Sequence, residues 1–145
     1  MEKAAAKRIG GKQACTIALF AVIILEIIWL VHECQGDFAN GILFYLQAQS
    51  NPFVLGFFVL LFSVTYFLGR YAGRDILMRG QNYMWVGFKY GLMASAILMG
   101  YLLIAYAAHS ILPQALNAIF QLIAAITAPM LGIWLFSARQ IKGRV

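Results

Sequence analysis

The sequence predicts an all-α, polytopic integral membrane protein: four transmembrane helices arranged as two hairpins, with the N and C termini cytoplasmic. Three observations predict it. Of 145 residues, 63% are hydrophobic and only 11% charged, against about 25% charged in a typical soluble domain. The apolar residues collect into four runs, approximately 15–32, 52–69, 85–108 and 113–136, each close to the roughly 20 residues a helix needs to cross a hydrocarbon core of about 30 Å. All eleven Lys and Arg residues fall in three clusters that four crossings would place on one side. A chain of this length holds a single membrane domain.

The first run follows Lys3, Lys7, Arg8 and Lys12 and could be read as a secretory signal. It leads instead into WLVHECQGDF, with Glu33 and Asp37 where a cleavage site needs small residues, so it is expected to stay as the first helix. The next stretch, FANGILFYLQAQSN, is apolar but interrupted by Gly41, Gln47 and Gln49, which suits a short helix lying at the surface. The second span opens at Pro52 and returns through YFLGRYAGR, and the third runs from Trp85 to Ala108. Ser110 and Pro113 punctuate a short turn into the fourth, which contains Pro129 and returns through WLFSARQIKGR. Pro129 removes a backbone hydrogen bond near the Ala125 carbonyl, a local basis for a kink. No run alternates polar with apolar residues as a membrane barrel strand would. The two basic returns look alike, as a repeat of two hairpins or the common chemistry of re-entering helices would both produce.

The positive-inside rule orients the chain. Basic residues lie before the first span, between the second and third spans (Arg70, Arg74, Arg79, Lys89) and after the fourth (Arg139, Lys142, Arg144); the other two loops carry none. The prediction is a multi-pass protein of the cell membrane with both ends inside. Tyr83, Trp85, Tyr90 and Trp134 at the inner boundary and Trp29 at the outer one fit interfacial aromatic belts. A net charge of +6 placed beside membrane segments points to anionic lipid headgroups rather than nucleic acid. Arg70, Arg74, Arg79, Lys89 and Arg139 are the candidate headgroup contacts, unless they serve topology alone. Asp75 and Arg79, four apart, favour a helical turn in the middle loop. Cys15 and Cys34 are separated by about 28 Å of helix, too far for an intramolecular disulfide.

Among residues that could carry function, Glu26 stands out as an acid inside a span. A charge there is expensive, about 2.5 to 3.5 kcal/mol on insertion scales, so the group should be protonated or paired. It is a candidate substrate-binding or proton-carrying residue, with a neutral acid that merely ties two helices together as the plainer reading. The fourth helix carries Gln114, Asn117, Gln121, Ala124 or Ala125, Ala128 and Gly132 on one face. Asn117 and Gln121 are candidate substrate contacts in a polar outer half, and the small residues below them suit close packing. Gly87, Gly91 and Ser95 form a second small-residue seam, Gly69 and Gly73 a third. His32, Cys34 and His109 offer metal or haem ligands without a recognisable spacing, so no metal and no cofactor is expected. Phosphate loops, nucleophile elbows and clustered acids are missing, and an enzyme is not expected.

The stretch FKYGLMASAILMGYLLIAY, the turn ILPQALNAI and the return IWLFSARQIKGR, over Phe88 to Arg144, resemble the GtrA-like family of small four-helix membrane proteins. That resemblance implies movement of polyprenyl-phosphate-linked sugars across the membrane. ILEIIWLVHECQGDFANGILFYLQAQSNPFVL is similar to the membrane anchor of lipoteichoic-acid-synthase-like proteins, without their extracellular catalytic domain. LEIIWLV around Glu26 resembles the first helix of small multidrug resistance proteins, in which a membrane Glu exchanges protons for cations. The expected function is binding or assisted translocation of an amphipathic, lipid-linked substrate. The alternatives are a structural or regulatory subunit, within a homo-oligomer or larger membrane complex, and a proton-coupled transporter using Glu26.

Overall fold

The computed structural model describes the backbone over residues 2–108 and 115–144, with side chains over 2–108 and 122–144. Every regular element among the described residues is a helix: α1 (Lys3–Glu33), α2 (Phe38–Gln49), α3 (Pro52–Leu77), α4 (Tyr83–Ala108) and α5 (Ala115–Lys142). Four of them, α1, α3, α4 and α5 from Leu122 onward, are long and apolar enough to cross a membrane. The short helix expected between the first two spans is α2. Local chemistry sets the boundaries. Asp37 caps α2 by accepting from the amides of Ala39 and Asn40 at 3.1 and 3.3 Å. Asn51 caps α3 at 2.9 Å from the Phe53 amide, with Pro52 in the first turn, where a missing N–H does no harm. Between α3 and α4, Gly80 adopts φ 61° and Asn82 accepts from the Met84 amide at 2.9 Å.

The helices run past the predicted spans. α1 starts at Lys3 rather than near residue 15, α3 reaches Leu77 rather than 69, and α5 reaches Lys142 rather than 136. Hydropathy marks where hydrocarbon ends, and a helix continues beyond it when its residues find something to pack against. In α1, Ala6, Gly10, Ala14 and Ala18 recur every four residues and are all buried. They meet Thr65, Gly69 and Gly73, spaced alike and buried on α3. A Cβ on Gly10 would lie 2.1 Å from the Gly69 carbonyl oxygen, and one on Gly73 would lie 2.5 Å from the Ala6 carbonyl oxygen. The two backbones are in direct contact, as small residues at four-residue spacing permit.

α4 and α5 pack differently. Gly87 and Gly91 open a slot in α4 that Leu131, Leu135 and the α5 backbone at Trp134 enter: a Cβ on Gly87 would lie 3.1 Å from Leu135 Cα and the Trp134 carbonyl oxygen, and one on Gly91 would meet Leu131 Cδ2 at 2.9 Å and the Trp134 Cβ at 3.2 Å. Trp134 is fully buried and tilted against Tyr90, ring centroids 6.2 Å apart. This corrects the sequence reading, which put Trp134 and Tyr90 in an interfacial belt. It also corrects the packing face of α5. Ala124, Ala125 and Ala128 are exposed, and a Cβ on Gly132 would meet nothing within 4 Å. The packed face is Met130, Ile133, Trp134, Ser137, Ala138 and Ile141, the side of α5 on which Leu131 and the Trp134 backbone come up against Gly87 and Gly91.

Among the described residues, the buried ones of the four long helices lie toward one end: up to Ala18 in α1, from Leu61 onward in α3, up to Leu98 in α4 and from Met130 onward in α5. That end also holds the basic residues and is called here the basic half. The opposite, open half is where α2 lies and where the cavities are.

Candidate functional site

Glu26 sits in the open half of α1, half-buried. α2 folds back over the end of α1 because Gly41 lets the chains touch; a Cβ there would lie 2.5 Å from the Glu33 carbonyl oxygen. Tyr45 and Gln49, four residues apart and so on one face of α2, both reach Glu26. The Tyr45 hydroxyl donates to Glu26 Oε2 at 2.7 Å and the Gln49 amide donates to the same oxygen. That hydrogen bond, with some desolvation, raises the Tyr45 pKa above its usual value of 10, so Tyr45 remains a donor at physiological pH. Trp29 packs edge-on to Tyr45 at 5.3 Å and donates from Nε1 to Glu33 at 2.9 Å. The expectation that Glu26 is paired or neutralised is met by hydrogen-bond donors on α2, which sequence reasoning did not foresee. The legible clue was two polar residues four apart on an otherwise apolar surface helix.

Beside Glu26 is a cavity of about 190 Å³, bounded by α1, α3, α4 and α5 and lined by Glu26, Phe57, Phe58, Ala125, Pro129, Met130 and aliphatic residues. A second cavity of about 370 Å³ between α3 and α4 is lined by Asn51, Val54, Phe57, Tyr101, Leu102 and Tyr106, among others. Phe57 borders both. Tyr101 is held in place by donating to the Phe53 carbonyl at 2.9 Å. Pro129, read as a kink site, leaves α5 helical and contributes to the cavity wall. Asn117 and Gln121 fall in the first turns of α5, and their side chains lie outside the described residues, as does His109. Among the described residues no three His, Cys, Asp or Glu side chains group to hold a metal ion. Cys15 and Cys34 are free thiols.

In the basic half, the expected headgroup residues divide three ways. Arg74 and Arg79 are engaged by Asp75, at 3.0 and 3.5 Å. Asp75 is only 2% exposed and also accepts from the Tyr90 hydroxyl at 2.7 Å, so it locks α3 to α4. Asp75 thus belongs to the end of α3 and does more than support a turn in a loop. The other cations lie over tyrosines: Arg70 over Tyr66 at 5.8 Å, Lys89 over Tyr90 at 5.3 Å and Lys142 over Tyr83 at 5.0 Å. Arg139 is exposed.

Four helices long and apolar enough to cross a membrane fit the class of multi-pass helical membrane proteins. No family model, curated protein or solved structure matches the chain.

Proposed function

We propose that the protein is a non-enzymatic membrane protein that binds an amphipathic, lipid-like molecule within the bilayer and assists its translocation. The observation that carries this reading is the pair of cavities sharing Phe57, mainly apolar and aromatic, the larger with Asn51 and two tyrosines on its wall and the smaller ending on the Glu26 carboxylate. A long apolar chain suits such walls, and a single polar group at one end fixes orientation. In this reading α1 with α3 and α4 with α5 form two hairpins, both termini are cytoplasmic, and Arg70, Lys89 and Arg139 rest on anionic headgroups at about 1 kcal/mol each.

Two measurements test it. Ala105→Trp fills the larger cavity and Ala125→Phe the smaller. Saturable binding of a fluorescent fatty amphipath to the protein in nanodiscs should weaken by roughly tenfold or more with either, about 1.4 kcal/mol; indifference to both removes the reading. Orientation is tested by single cysteines at Asn40 and Gln81, in a background lacking Cys15 and Cys34. They should label from opposite sides of the membrane, and labelling from one side would overturn the two-hairpin arrangement.

A second reading, a subunit of a larger complex, draws on α1. Only 11% of its apolar window is buried, against 28% for α5, and Phe20, Ile24 and Ile28 are exposed. A stoichiometric partner whose release exposes these residues to labelling would favour it.

A further inference from the structure

Of the eleven cationic side chains, eight are exposed, and only Lys7, Arg70 and Arg74 are half-buried. All three lie on one seam, where α1 and α3 pass the ends of their apolar runs. Lys7 and Arg74 share the Tyr71 ring, at 5.6 and 5.4 Å from its centre, and Arg70 lies over Tyr66 at 5.8 Å. Gly11 makes room for this arrangement: a Cβ there would lie 2.9 Å from Tyr66 Cε2 and 3.0 Å from Arg70 Cγ, so both side chains lie across α1 at that point. Orienting a chain in a membrane needs positive charge on one side of it, which exposed residues supply equally well. It does not need three cations drawn to one helix seam against their mutual repulsion. Among the described residues neither Lys7 nor Arg70 has a carboxylate within ion-pair distance, and Asp75, which engages Arg74, is buried. The seam therefore carries an excess of positive charge, backed by the negative faces of two tyrosine rings.

We propose that this seam is a binding site for a phospholipid that carries two phosphates on one short bridge, the chemistry of cardiolipin. Arg70 and Arg74 are four residues apart, about 6 Å along α3, a span that two phosphates on a three-carbon bridge can match. Arg70, which no carboxylate engages, meets one phosphate through its forked donors. Arg74, held in place by Asp75, meets the other together with Lys7 from α1, so that the lipid ties the two helices. The acyl chains follow the same seam into the apolar zone, where Leu19, eight residues after Gly11, and Val59, seven before Tyr66, are both exposed. This rests on the headgroup part of the proposed function and turns a loose contact at Arg70 into a defined site; it does not depend on the cavities.

The test titrates delipidated protein in neutral detergent with cardiolipin and with phosphatidylglycerol, which has one phosphate, and counts bound lipid by native mass spectrometry. Cardiolipin should bind roughly tenfold tighter. Lys7→Gln combined with Arg70→Gln should bring cardiolipin down to the level of phosphatidylglycerol. Lys3→Gln combined with Arg8→Gln removes the same charge from exposed positions, and should change cardiolipin binding by less than about twofold. Arg70→Lys preserves the charge but loses the fork, and should weaken cardiolipin several-fold. Gly11→Ala leaves every charge in place but pushes Tyr66 and Arg70 off the seam, and should also weaken cardiolipin several-fold; it decides the matter should the Lys7 and Arg70 double variant fail to give monodisperse protein. Inorganic pyrophosphate, two phosphates without chains, should not displace the lipid at equal concentration, and displacement would overturn a lipid as the ligand. Equal affinity for the two lipids, equal losses in the two double variants, or a Gly11→Ala protein that binds like the parent overturns the site and leaves loose headgroup contact standing. Binding of both lipids no tighter than that of phosphatidylcholine overturns the headgroup contacts as well.

Discussion

At the basic end, α1 and α3 touch backbone to backbone through Gly10, Gly69 and Gly73; a few turns away the same two helices part around Glu26, Phe57 and Phe58 and leave a cavity. The difference follows from side-chain size at the crossing. In lipid there is no hydrophobic force pressing helices together, because the tails are as apolar as leucine, so association depends on how closely surfaces fit. Ala6, Gly10, Ala14 and Ala18 allow a close fit; Val22, Leu25 and Glu26, further along α1, do not. Stability is therefore concentrated in the basic half, and the open half is where a ligand can enter without dismantling the fold. Substitutions that fill the contact should damage one half and spare the other.

The largest effect is expected at the α1–α3 crossing. Gly10→Val and Gly73→Val each place a branched side chain where even a Cβ would lie 2.1 to 2.9 Å from backbone atoms of the facing helix. Backbone cannot give way as a rotamer can, so the helices must separate. The expected loss is about 3 kcal/mol or more, the upper range of overpacking effects. Size-exclusion profiles and thermal unfolding in detergent should show little folded protein. A stable, monodisperse Gly10→Val protein would mean that this crossing does not hold the bundle together.

A smaller loss is expected at the α3–α4 lock. Tyr90→Phe removes one hydrogen bond to Asp75, worth about 1 kcal/mol. Asp75→Ala also leaves the Tyr90 hydroxyl unpaired in a buried place and releases Arg74 and Arg79, for about 1 to 3 kcal/mol. The double variant should lose less than the sum of the two, since each single change disrupts the same bond. Additivity would show that the two side chains act independently, and that Asp75 serves only to neutralise the arginines.

Which parts were legible in the sequence follows from these contacts. The four long apolar helices, the short helix after the first of them and the Gly87 and Gly91 seam were readable because hydropathy and four-residue spacing are properties of one helix at a time. Ala6, Gly10, Ala14 and Ala18 went unread as a seam because the reading stopped the helix at the hydrocarbon boundary, where hydropathy falls but packing continues. Trp134 was misplaced because an indole near a basic cluster suits either an interface or a buried contact, and the ring it packs against, Tyr90, belongs to α4. The partners of Glu26 were hidden for the same reason. Tyr45 and Gln49 lie 19 and 23 residues away, and the fold-back of α2 at Gly41 brings them to Glu26. Pairings between elements are set by shape, which one-dimensional periodicity does not carry.

The smallest effect is expected where glycine has no neighbour to accommodate. Gly100 in α4 and Gly132 in α5 are helical, and a Cβ on either would meet nothing within 4 Å. Glycine weakens a helix interior relative to alanine by about 1 kcal/mol in water through its backbone freedom. With no close neighbour to oppose the gain, Gly100→Ala and Gly132→Ala should leave the unfolding midpoint unchanged or slightly raised. Gly91→Ala is the control within the packed half: its new methyl would crowd Leu131 Cδ2 at 2.9 Å, the end of a side chain that can turn aside, so a modest decrease is expected. The ranking Gly132 and Gly100, then Gly91, then Gly10 and Gly73 orders the glycines by how little their neighbours can yield. If Gly132→Ala destabilised the protein as much as Gly91→Ala, α5 would have to present its small-residue stripe to a packed surface after all. The division into a tight half and an open half would then fail at its fourth span.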